Sequence, residues 1–146
     1  MTVARIRPAH GGDAETIHQL LLACSPEDPS PQAARDLAYW QRVLTEPEGL
    51  WVAHRGGEAV GMAQAVAAGA GQVRALELRR LCVREEEHGQ ATAANLLQIS
   101  IGDAPCQVWV ADGDEEARAF YLAHGFELDE GARRREGALV LRRMIR

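Results

Sequence analysis

A chain of 146 residues, 47% hydrophobic and 25% charged, is long enough to build one self-standing core. Its net charge of −5 argues against nucleic acid or an anionic membrane as the main partner. All 16 basic residues are arginine, which excludes a lysine Schiff base or lysine nucleophile within the chain.

The first strand is expected at Val3 to Arg7. Asp13 is placed to cap a helix with Ile17, Leu20, Leu21 and Cys24 on one face. The stretch Ser25 to Ser30 breaks that helix. Ser30-Pro31 then reads as the start of another, with Ala33, Leu37, Trp40 and Leu44 as its apolar face. Arg55-Gly56-Gly57-Glu58 between two apolar runs predicts a hairpin of strands Leu50 to His54 and Ala59 to Val66. The small residues Ala59, Gly61, Ala63 and Ala65 make one face of the second strand flat enough for a helix to approach closely.

Arg74 to Val83 is the longest strand expected. Simple alternation puts Leu76, Leu78 and Cys82 on one face, and Glu77, Arg79, Leu81 and Val83 on the other. After the turn Glu86 to Gln90, a helix over Ala91 to Ile101 buries Ala93, Leu96, Leu97 and Ile101. A strand over Cys106 to Ala111 follows, then a helix capped by Asp114 that runs to about His124. A strand starts at Phe126 to Leu128, and Glu136 to Ile145 is the last one. Strands joined partly by hairpins and partly by helices define an α/β (α+β) fold. It is expected as a single domain over 1–146 with a mixed sheet.

Cys24, Cys82 and Cys106 form no Cys-x-x-Cys pair, and the five histidines form no His-x-x-x-His pair, so no metal site is expected. The N-terminal residues lack a signal-peptide core, and no apolar run approaches ~18 residues. The expectation is a reducing cytoplasm.

Chemistry concentrates between Glu77 and Phe126. The helix starting at Ala91 has backbone N–H groups without intrahelical partners, and the macrodipole makes that end attractive to phosphate. Its first residues, Ala91, Thr92 and Ala93, are small enough to let a ligand reach those amides. Tyr121 sits on the stripe Ala117, Phe120, Tyr121, His124. With an ordinary phenol pKa near ~10 it would be a proton donor at neutral pH. Glu77 is a carboxylate between Leu76 and Leu78 within a strand. Taken singly, each has a structural reading: a plain turn, a core aromatic, and an ion pair with Arg79.

Taken together, the strand, the turn His88-Gly89-Gln90-Ala91-Thr92-Ala93 and the later Phe120-Tyr121-x-x-x-Gly125-Phe126 resemble the GNAT superfamily of acyl-CoA-dependent N-acetyltransferases. The family signature Gln/Arg-x-x-Gly-x-Gly/Ala is matched at Ala93, with His88 and Ala91 in its first two defined positions. The resemblance implies a GNAT-like, mostly antiparallel sheet of six to seven strands with helices on both faces. It also implies acetyl-CoA as acyl donor, with strand residues Leu81, Cys82 and Val83 along the pantetheine arm. Amides of His88, Gly89, Gln90, Ala91, Thr92 and Ala93 would hold the pyrophosphate, and Asp114 would flank the cofactor. Tyr121 would be the general acid and Glu77 the general base. The acceptor would be a small-molecule or peptide amine, its pocket built by segments 24–50 and 126–137, and a homodimer is expected as is common in the family. A second reading stays open: a non-catalytic GNAT-like module that binds acyl-CoA or a protein, motivated by His88, Ala91 and the run Glu85 to Glu87.

Overall fold

The computed structural model describes residues 3–24 and 36–146. The expected helix start at Ser30-Pro31, with Ala33 on its face, falls outside them. The described strands are β1 (Arg5–Pro8), β2 (Leu50–Arg55), β3 (Glu58–Ala67), β4 (Leu76–Val83), β5 (Gln107–Ala111), β6 (Glu127–Glu136) and β7 (Leu139–Ile145). They form one sheet in the order β1-β2-β3-β4-β5-β7-β6. Every pairing is antiparallel except β4 with β5. The helices are α1 (Ala14–Cys24), α2 (Leu37–Val43), α3 (Thr92–Ile101) and α4 (Glu115–Ala123).

The sheet is covered on both faces. Ile17, Leu20, Leu21 and Trp40 of α1 and α2 pack against Val52, Met62 and Cys82. On the opposite face Leu96 of α3 packs on Ala53, Val60 and Ala63, and Leu97 and Ile101 join Leu78, Val108, Tyr121 and Met144. The face of β3 carrying Gly61, Ala63 and Ala65 is what lets α3 settle so low, whereas Ala59, expected with them, packs toward α1 and α2 because Val60 is an extra residue in the pairing with β2. A Cβ built on Gly61 would stand 3.0 Å from the Cys82 carbonyl, 2.8 Å from Val83 Cγ1 and 3.1 Å from Leu96 Cδ1.

Local chemistry shapes the element ends. Gly56 and Gly57, at φ 59° and 84°, make the tight β2–β3 turn that positive φ at both central residues requires. Asp13 does not cap α1. It closes a short 3-10 turn, Gly11–Asp13, whose cap is His10. The Asp13 carboxylate accepts from the His10 backbone N–H and from Arg7. Asp36 caps α2, accepting from the Ala38 N–H.

Two further departures from simple alternation matter. In β4, Ala65 pairs with Leu78 but Gln64 pairs with Arg80, so Arg79 is an extra residue, a β-bulge. An extra residue reverses the facing of everything beyond it. Leu78, Leu81 and Val83 therefore pack toward α3, whereas Cys82 packs toward α1 and α2. The expected grouping of Leu78 with Cys82, and of Glu77 with Leu81 and Val83, is thus overturned. In β6 the expected short start becomes a ten-residue strand, with four residues looped out between Leu128 and Arg133. Asp129, in that bulge, holds Arg143 of β7 at 2.6 and 2.8 Å.

Candidate active site

β4 and β5 run parallel but pair only at Glu77↔Gln107 and Leu78↔Val108. Beyond these two pairs the strands separate, and the backbone groups that β4 turns toward β5 have no strand partner. Leu81, Cys82 and Val83 line this opening, on the side of the bulge. Leu81 and Val83 are partly exposed and Cys82 is buried.

The turn from β4 to α3 closes the wide end of the slot. Glu85–Glu87 form a 3-10 turn. Gly89 then takes φ +87°, a conformation that favours glycine. α3 begins at Thr92 behind Ala91, with no side chain capping its first amides. These amides are the unsatisfied donors expected from the sequence. Thr92, by contrast, is buried, and its hydroxyl donates to Glu87 Oε1 at 2.6 Å. Arg55 grips the same carboxylate in bidentate fashion, at 2.9 and 3.0 Å. The Arg55 guanidinium, with the Thr92 hydroxyl, holds the Glu87 carboxyl below the usual carboxylate range. One of the three acidic residues before the turn is therefore neutralised and structural. It ties the turn to the β2–β3 hairpin, and no sequence motif marks that link.

His88 and Gln90 are exposed on the turn, but their backbone N–H groups, expected to be open to a phosphate, already donate to the carbonyls of Glu85 and Glu87, each at 3.0 Å. His88 Nδ1 lies 3.5 Å from Glu116 Oε1 in the first turn of α4, so the two walls of the slot approach each other there. Ala93 is partly exposed beside Thr92. Asp114 serves as the N-cap of α4, accepting from the Ala117 N–H at 3.1 Å.

Tyr121 reaches the slot from α4. It is 6% exposed, and its ring meets Phe120 and Phe126 edge-on at 5.2 and 5.3 Å. Burial pushes the phenol pKa strongly upward, and Cys106, Cys82 and Asp114 add to the shift. Those three neighbours locate the ring between β4, the approach to β5 and the cap of α4. Glu77 stands on the opposite face of β4 from Leu78, where the strands still pair. It is 8% exposed. Its Oε1 accepts from Gln107 Nε2 at 2.9 Å, and its Oε2 lies 3.6 Å from Arg79 Nη2. The ion pair with Arg79 weighed from the sequence exists, but Gln107 is the shorter contact, and the sequence reading missed it. A carboxylate thus approaches the narrow end of the slot from the α1–α2 face, and a phenol approaches it from the α3–α4 face.

Residues 46–128, more than half of the chain, match the family described as Acetyltransferase (GNAT) domain. The chain belongs to the GNAT acetyltransferase family. No match to a curated protein was found. Solved structures share the fold along nearly its whole length. Ard1 from Thermoplasma volcanium is 16% identical with a TM-score of 0.79, covering 99% of this chain and 97% of its own. The PaiA N-acetyltransferase from Thermoplasma acidophilum, solved in complex with coenzyme A, is 14% identical with a TM-score of 0.74, covering 97% and 98%. The diaminobutyrate acetyltransferase EctA from Paenibacillus lautus, solved with its diaminobutyric acid substrate and coenzyme A, is 12% identical with a TM-score of 0.73, covering 99% and 95%. Among the described residues no cluster of His, Cys, Asp or Glu could hold a metal ion, and no helix is long and apolar enough to cross a membrane.

Proposed function

We propose that this chain transfers an acetyl group from acetyl-CoA to a primary amine by direct attack in a ternary complex. The observation that carries the reading is the parting of β4 from β5 after two residue pairs, with Glu77 and Tyr121 on opposite faces of the opening. The pantetheine arm lies along Leu81 to Val83, whose outward backbone groups have no strand to bond. The pyrophosphate lies against the amides of Gly89 and of Ala91 to Ala93 at the uncapped start of α3, the Gln90 N–H already donating to the Glu87 carbonyl. Ala91 is exposed, so its methyl narrows this approach without closing it.

Glu77 takes one proton from the acceptor's ammonium, directly or through water. The neutral nitrogen then attacks the thioester carbon, and free β4 amides at the bulge stabilise the oxyanion. As the C–N bond forms and the C–S bond breaks, Tyr121 gives its proton to the departing sulfur. The second proton lost from nitrogen restores the phenol, and Glu77 releases the first to water. Burial keeps Tyr121 protonated at neutral pH, and the same desolvation weakens the departing thiol as an acid, so the transfer is not opposed. Each acid–base contribution is worth ~10²–10⁴-fold in rate.

Calorimetry with acetyl-CoA, followed by turnover on diaminobutyrate, putrescine and a lysine peptide, tests this. Binding with turnover of at least one amine is expected. No binding at millimolar acetyl-CoA would overturn the reading. Binding without turnover on a broad amine panel would assign the chain to a non-catalytic acyl-CoA-binding module instead.

A further inference from the structure

Gln107 is completely buried at the first position of β5, register partner of Glu77 across the closed end of the slot. Both hydrogens of its amide nitrogen are committed. One goes to Glu77 Oε1 at 2.9 Å, the other to Gln72 Oε1 at 3.0 Å in the loop between β3 and β4. Its amide oxygen is buried with no partner. That orphan is costly, because a buried acceptor stripped of water and given no donor lowers stability. A leucine here would spare that orphan but leave Gln72 Oε1 and the buried Glu77 Oε1 without their donor, so the glutamine is kept for the groups it bonds. An unpartnered oxygen tolerated to that end points to function. The nitrogen's two acceptors also fix which way the amide faces, so the N–H, not the carbonyl, meets the carboxylate.

We propose that Gln107 is a positioning residue for Glu77, holding its carboxylate turned toward the acceptor amine. The inference rests on the reading of Glu77 as general base. The bond from Gln107 pins one carboxylate oxygen, which leaves the other to meet the ammonium or a relay water. Among the described residues, the charged or titratable groups about this carboxylate include Arg79 on β4, Arg80 on the same face of β4 beyond the bulge, Cys106 ahead of β5 and, beyond Cys106, Arg146. Cys106 is buried and its thiol is pushed up by that burial, so it stays neutral. The arginines are cationic throughout, which leaves Gln107 as the neutral contact to vary.

The test begins without an acceptor. In glutamate-labelled protein the side-chain carboxyl carbon of Glu77, assigned by its loss in Glu77→Gln, is followed by NMR at neutral pH. In Gln107→Leu, and in Gln107→Met as a second variant should the first fold poorly, this resonance is expected to shift and broaden as the unpinned carboxylate samples more than one orientation. The thermal midpoint of folding should fall modestly, because the buried carboxylate loses a donor. With acetyl-CoA and the panel amine turned over by the wild type, kcat should fall about tenfold. Acetyl-CoA affinity should be unchanged. An unmoved Glu77 resonance, or a large loss of thermal stability with kcat unchanged, would show that Gln107 merely ties the strands together, and would overturn the inference while leaving the base in place. Undiminished activity of Glu77→Gln would instead remove the base itself, an outcome separate from the first.

Discussion

Two side chains with ordinary sequence surroundings acquire roles only through the face each one occupies. Tyr121 is surrounded by Phe120, Phe126 and two cysteines, a setting that raises its pKa and so fits it to give a proton and not to remove one. Tyr121→Phe keeps the ring and its edge-on contacts and deletes only the hydroxyl. It should lower kcat by about 10²-fold with acetyl-CoA affinity near that of the wild type. Steady-state kinetics beside calorimetry checks the split, and full activity at neutral pH would remove the phenol from the mechanism. Tyr121 was legible as a candidate through the spacing Phe-Tyr-x-x-x-Gly-Phe. Glu77, across the sheet, was legible as a candidate only through its place between two leucines. The contact that distinguishes Glu77 from a surface carboxylate comes from Gln107, thirty residues away, and exists because two parallel strands meet in one register.

At the scale of elements, the turn and β3 carry the geometry. The turn exposes the amides of α3 because Gly89 adopts φ +87° in open space, where an added methyl would meet nothing but would strain the backbone. Gly89→Ala should weaken acetyl-CoA binding several-fold while leaving thermal stability almost unchanged, a contrast that calorimetry and melting curves resolve. Gly61→Val should do the reverse. Its side chain would drive into the Cys82 carbonyl and Leu96, and overpacking at such a site should destabilise the fold by at least about 2 kcal/mol. Equilibrium denaturation measures it, and an unchanged midpoint would mean that α3 can lift off β3 freely. Strands, helices and the tight hairpin were readable because alternation, helical stripes and paired glycines are written in adjacent residues. The bulge at Arg79 was not, since an extra residue in a ladder has no composition of its own. It is decided by the partner strand, and it reversed the facing of Leu81, Cys82 and Val83.

At the scale of the molecule, ion pairs fasten one element to another. Arg7 of β1 holds Asp13 ahead of α1, six residues on, and Arg55 of the β2–β3 hairpin holds Glu87 before the β4–α3 turn, 32 residues on. Both carboxylates are buried, and both titrate below their ordinary range, first because of the arginine hydrogen bonds. Above the unfolded carboxylate value, about 4, both groups are ionised in either state, and the pairs contribute their full stability. As pH falls through that value toward the lower folded one, the unfolded chain takes up protons first, and this contribution drains away. The thermal midpoint should therefore drop between about pH 7 and about pH 3. Glu87→Gln keeps a hydrogen bond to Thr92 but carries no charge for Arg55 to hold. It should melt lower at neutral pH and lose less on acidification than the wild type. Because the same pair anchors the turn that would hold the pyrophosphate, acetyl-CoA affinity should fall in this variant at neutral pH as well. Melting curves at both pH values, with calorimetry at the higher one, separate the two effects. An acid loss equal to that of the wild type would place the pH sensitivity in other carboxylates and leave Glu87 with only its anchoring contact.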